Sequence, residues 1–237
     1  MTDSARSSRA PLWLGLAFVL LWVSFPLFVE TTVAHLGVRV FAVGMVTLSA
    51  LSLRQVSPAL PPELRLRPID TAVPFVLVAL ALVSGARVFL LLLPAWVYAV
   101  LARIFFASLR GGGSAIETAA KWMQPYAPDF VRPYCRRVTV FWGVLFGANA
   151  LAVAGLALFA PAGWWRAWTG WIVWTGFVAI TAVEFVVRKI HFRIYDGGPI
   201  DSVFERFFPA ESTEMGRRAT AYKVQMRRSL GRPERGR

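Results

Sequence analysis

Apolar residues in this chain come in long unbroken blocks separated by short polar stretches. They do not follow the spacing of an amphipathic helix or of a half-buried strand. Such blocks are expected of helices that meet hydrocarbon on every side. Six can be drawn, at about Pro11–Val29, Val33–Leu53, Thr71–Gly85, Val88–Ser108, Val138–Phe159 and Trp171–Lys189. The predicted fold is all-α: a polytopic membrane protein with six transmembrane helices over 11–189. A polar N-terminal segment precedes it at 1–10, and a basic, amphipathic or disordered tail follows at 190–237. The first block resembles a signal peptide in its preceding arginines, but it runs on to Val29 with no cleavage pattern after it, so it reads as a retained span.

Two of the blocks admit another reading. Thr71–Ser108 could form one long helix, but 38 residues is too long for a single crossing. A tight hairpin turning at Ser84–Gly85–Ala86, with Arg87 at the far interface, fits better. Residues 54–70 then form a Pro-rich polar loop, GGGS at 111–114 a flexible linker, and 115–126 a short amphipathic helix lying in the interface. Pro161–Gly170 reads as an aromatic turn with Trp164, Trp165 and Trp168 at headgroup level. In the tail, Val203, Phe204, Phe207 and Phe208 share a helical face suited to docking on the membrane or the bundle. A second, basic helix is expected over 211–230.

Composition agrees with the blocks: 57% of residues are hydrophobic and only 16% charged, below the ~25% usual for soluble domains. The net charge of +13 raises the possibility of nucleic-acid binding, but the placement of the cations argues against it. Of 26 Lys and Arg, 22 fall in 1–10, 54–70, 109–137 and 188–237, and only Arg39, Arg87, Arg103 and Arg166 lie elsewhere. Under the positive-inside rule both termini and those loops face the cytoplasm. The implied partners are anionic lipid headgroups on that face, and nucleic acid is disfavoured. The single cysteine, Cys135, excludes an internal disulfide.

Catalytic signatures are sparse. His35 and His191 lie near opposite faces of the predicted bundle, no cluster has metal-ligand spacing, and neither a phosphate loop nor a nucleophile elbow appears. No metal or cofactor is implied. The intramembrane polar residues are the remaining candidates, because a charge at the centre of a span costs roughly 2.5–3.5 kcal/mol. Arg103 and Glu184 lie at similar predicted depth and are expected to pair, and Glu184 precedes Arg188 by one helical turn. Asn149, mid-span, suits interhelical hydrogen bonding or a ligand contact. Arg136 and Arg137, with Trp142 and Tyr134, could bind lipid phosphate or an anionic acyl substrate.

Several of these residues recur in one pattern: R-R-V-T-x-x-W (Arg136–Trp142), L-F-x-x-N-x-x-A (Leu145–Ala152), W-W (Trp164, Trp165) and E-x-x-V-R (Glu184–Arg188), preceded by I-F-F-A-S-L-R (Ile104–Arg110) and the span containing Pro94. The pattern resembles a family of bacterial inner-membrane proteins commonly encoded among fatty-acid-synthase-like genes, as in aryl-polyene clusters. The resemblance covers about Val73 to Arg193. It carries no activity; it implies a membrane step in making, anchoring or exporting an acyl product, with an acyl carrier protein, acyltransferase or lipid exporter as partner. The expected function is that of a non-catalytic accessory or scaffold protein. The alternative is a membrane-embedded lipid or polyene transporter or acyl-transferase component using Glu184, Asn149 and Arg136/Arg137.

Overall fold

A computed structural model describes residues 37, 40, 43, 67–111, 113–123, 128–195 and 198–229. The first two predicted spans, the loop at 54–66 and the segments 1–10 and 230–237 lie outside the described residues, apart from three positions in the second span. The described residues are all-helical, without a strand. Three helices are long and apolar enough to cross a membrane: Val88–Ser108, Asp129–Phe159 and Ala162–Phe192. A shorter apolar helix, Pro68–Ser84, precedes them. We label the helices α1 (Pro68–Ser84), α2 (Val88–Ser108), α3 (Ala115–Met123), α4 (Asp129–Phe159), α5 (Ala162–Phe192), α6 (Pro199–Phe207) and α7 (Glu214–Ser229). The chain divides into two compact units, Met1–Ala119 with Pro133–Trp174, and Ala120–Arg132 with Thr175–Arg237.

In the first unit, α1 and α2 form the antiparallel hairpin expected over 71–108. Pro68 opens α1, where a missing N–H costs nothing. Gly85 ends it in the left-handed region at φ 69°, donating to the Ala81 carbonyl at 2.9 Å. The helix therefore starts three residues before the predicted Thr71 and takes Asp70 out of the loop. Within α1, Pro74 cannot donate to the carbonyl four residues back, which belongs to Asp70. That freed carbonyl accepts from the indole of Trp96 on α2 at 3.2 Å. The helix break thus becomes a fastening across the hairpin.

Helix α2 buries Leu90, Leu93, Ala95, Tyr98 and Ala102, and α4 buries Cys135, Thr139, Gly143, Asn149 and Val153. These two faces meet. Phe106 lies over Gly143, where an added Cβ would stand 3.1 Å from the ring. Phe146 packs against Phe105 at 5.2 Å and Tyr98 at 6.4 Å between centroids. A small residue opposite an aromatic ring is how membrane helices approach closely. Away from these faces Val83, Leu151 and Phe159 are largely exposed, as expected of surface that meets lipid.

The predicted aromatic turn is helix. The chain turns instead at Ala160–Pro161, and α5 starts at Ala162, with one π turn at Trp168–Ile172. Trp164 is exposed, but Trp165 is buried and donates its indole N–H to the Leu91 carbonyl at 3.2 Å. Thr169 Oγ1 donates to the Trp165 carbonyl beneath it. Trp165 is therefore packed inside its unit and not on its surface.

In the second unit the tail is folded. Lys189, near the end of α5, donates to Asp201 at 2.6 Å and to the Ile194 carbonyl at 2.9 Å. Tyr195 Oη donates to the Phe208 carbonyl at 2.7 Å. Phe204 packs on Phe185 and on Phe208. Phe130 sits between Phe192 and Tyr222. Gly216 allows α7 to press on the Ala210 carbonyl, where a Cβ would collide. The predicted face of Val203, Phe204, Phe207 and Phe208 splits: Phe204 and Phe208 pack inward, while Val203 and Phe207 remain exposed.

Candidate functional site

Arg103, within the apolar helix α2, is paired with a carboxylate of its own unit. Arg103 Nε donates to Asp70 Oδ1 at 3.0 Å and its Nη2 to Oδ2. Asp70 Oδ2 also accepts the backbone N–H of Arg67 at 2.6 Å. The carboxylate belongs to a buried residue, and its side chain is 2% exposed against 26% for Arg103. The carboxylate that meets Arg103 is therefore Asp70, where matched depth had suggested Glu184. In the sequence Asp70 falls within the Pro-rich stretch that reads as loop, which conceals it as a partner. The signal for it was Pro68 followed by Asp70, a proline-led helix start with an acid at its third position.

Glu184 lies in the second unit and takes Arg188 at 3.5 Å, the i,i+4 pair the sequence predicted. The Arg188 guanidinium also lies 5.8 Å from the Phe185 ring centroid. Both ends of this pair are partly exposed, which suits a helix-surface pair more than a sequestered acid–base group.

Asn149 is buried, but its amide serves its own helix: Nδ2 donates to the Leu145 carbonyl at 2.9 Å. Its Oδ1 is buried with no hydrogen-bond partner among the described residues. The interhelical bond expected of it is not what Nδ2 makes. Arg136 and Arg137 are exposed near the start of α4. Trp142 is half-buried, its ring tilted against Phe146 at 5.6 Å between centroids. Asn149 stands twelve residues beyond Arg137 on the same helix, about 18 Å at 1.5 Å per residue. The arginine pair and Asn149 thus do not converge on one pocket.

A cluster of hydroxyls that the sequence reading passed over gathers at the start of α3. Ser108 Oγ accepts the Ala115 N–H at 2.9 Å and donates to the Phe105 carbonyl at 2.7 Å. Ser114 Oγ accepts from Glu117 at 3.4 Å, and Thr139 Oγ1 accepts from Ile116 at 3.3 Å. Three hydroxyls therefore satisfy three free N–H groups of one helix end. The serine of GGGS is accordingly a buried cap, not linker. The signal was a serine placed three residues before Glu117.

Among the described residues no three His, Cys, Asp or Glu side chains group as a metal site. The polar groups together form anchors: a hairpin clamp, a helix cap and a tail rivet. Comparison with protein-family models, with curated proteins and with solved structures finds no match for this chain.

Proposed function

We propose that the chain is a non-catalytic accessory protein of a bacterial inner membrane, which scaffolds enzymes or an exporter that handle an acyl product. In this reading six spans place both termini in the cytoplasm, and Arg136, Arg137 and the basic tail form the surface offered to anionic headgroups and partners. One observation carries it. The intramembrane charges are paired within their own unit, Arg103 with Asp70 and Glu184 with Arg188, while Arg136 and Arg137 stay exposed. A protein whose inner polar groups hold it together and whose cations face outward suits assembly better than turnover. The acyl class rests on the family resemblance of Val73–Arg193. Crosslinking in cells followed by purification should recover an acyl carrier protein, an acyltransferase or a lipid exporter. Recovery of none of these overturns the reading.

The Oδ1 of Asn149, buried and without a partner among the described residues, favours a second reading, a lipid or polyene transporter or acyl-transferase component with a polar contact in mid-span. It predicts loss of product export or modification in Asn149→Ala and Glu184→Gln cells. Normal product in both removes it.

A further inference from the structure

Helix α6 has more apolar surface than its own unit covers. Asp201, Phe204 and Phe208 line one side and are held by Lys189, Phe185 and Tyr195. Ile200, Val203 and Phe207 line a second stripe and remain 58%, 57% and 71% exposed. At 3.6 residues per turn that stripe falls within an arc of about 60°, roughly 100° around the helix from the packed side. Glu205 lies opposite the stripe and is exposed.

The fastenings of α6 fix its level along α5. Its first turn is tied to Lys189 by the Asp201 ion pair, and its middle rests on Phe185, one helical turn further into the apolar segment. On α5 itself, Val183, Val186 and Val187 are exposed at that level and just beyond it. A helix held beside the last turns of a span, with a bare apolar stripe, has the membrane boundary within reach and needs no other partner to cover it. Exposed Arg188, beside Lys189, lies at the level of the Asp201 ion pair, where anionic headgroups would be met.

We propose that α6 is an interfacial membrane helix that seats Ile200, Val203 and Phe207 in the headgroup–acyl boundary of an anionic bilayer beside the end of α5. The proposal rests on α5 being a span and not on any scaffold role. Single cysteines Phe207→Cys, Val203→Cys, Glu205→Cys and Val178→Cys, placed in the full chain with Cys135→Ala and labelled with an environment-sensitive fluorophore, test it in phosphatidylethanolamine–phosphatidylglycerol vesicles. Positions 207 and 203 should emit to the blue and be quenched roughly threefold more than position 205 by a shallow lipid-borne quencher, as burial at the boundary requires. Position 178 should respond most to a deep quencher. Water-like emission at 203 and 207 with a buried 178 overturns the proposal alone. Water-like emission at 178 as well overturns the span on which it rests. Blue emission at 207 that persists in detergent but responds to neither quencher means a protein surface covers the stripe, and also overturns it.

Discussion

Arg103 closes a two-point hydrogen-bonded fork on Asp70, joining the third residue of α1 to the last turns of α2. Each charge would be costly alone in an apolar setting. Paired in the planar geometry that guanidinium and carboxylate share, each supplies what the other lost on leaving water. The Trp96 indole on the Asp70 carbonyl adds a neutral bond beside the charged one.

Removing one partner of this clamp should therefore do more harm than removing both. Asp70→Ala leaves Arg103 without its carboxylate and should cost about 3–5 kcal/mol. Asp70→Leu with Arg103→Met should recover most of that loss. Thermal unfolding in detergent, followed by tryptophan fluorescence, ranks the variants. Equal losses in single and double variants would refute the clamp.

Asn149→Leu should leave stability unchanged or raise it. The substitution removes a buried carbonyl oxygen that has no partner among the described residues, a burden of about 1–3 kcal/mol, and keeps the volume similar. A lower melting temperature for the leucine variant would show that Oδ1 has a partner after all.

Gly216→Ala should loosen the tail while sparing the helices before it. The added methyl runs into the backbone of Ala210, which cannot swing aside as a side chain could. Cleavage sites over 209–229 should become several times more sensitive to limited proteolysis, while the helical content of the remainder holds. Unchanged tail cleavage would mean that α7 is not seated on Ala210.

Alkali should release the same region. Burial raises the Tyr195 phenol above its ordinary value, an effect Arg193 partly offsets and Glu205 and Asp201 add to. The folded chain thus holds that proton more tightly than the unfolded chain. Its contribution is complete below about pH 10, the unfolded phenol's value, and disappears as pH rises through the folded value. The hydrogen bond to the Phe208 carbonyl goes with the proton. Tyr195→Phe should flatten the alkaline limb of tail stability, measured as proteolysis rate against pH. An identical limb in the variant would assign it to another group.

The hairpin, the extent of α2, the C-terminal end of α4 and the Glu184–Arg188 pair were legible in the sequence, because each depends on local spacing or on bulk hydrophobicity; the start of α4 at Asp129, nine residues before the expected Val138, was not. Asp70 as partner of Arg103 was not. Its role needs the fold to bring positions 33 apart together, and its place beside prolines disguised a helix start as a loop. Trp165 misled for a related reason. An indole at the end of an apolar run suits the membrane boundary and a buried donor equally, and only the position of the Leu91 carbonyl separates the two. The compactness of the tail was hidden because Lys189 and Arg193 read as a basic flank, and Tyr195 as an incidental aromatic beside it, until the carbonyls and carboxylate they meet are in place.

The Trp165–Leu91 bond also sets an order in time. Its donor lies 74 residues after its acceptor, so at usual synthesis speeds it arrives roughly 4–15 s later. During that interval the Leu91 carbonyl is without its indole donor, and the α1–α2 hairpin is held by the Asp70 fork and the Trp96 bond. A ribosome that stalls before Trp165 would leave that hairpin half-fastened, and it would be the first piece a membrane protease could take.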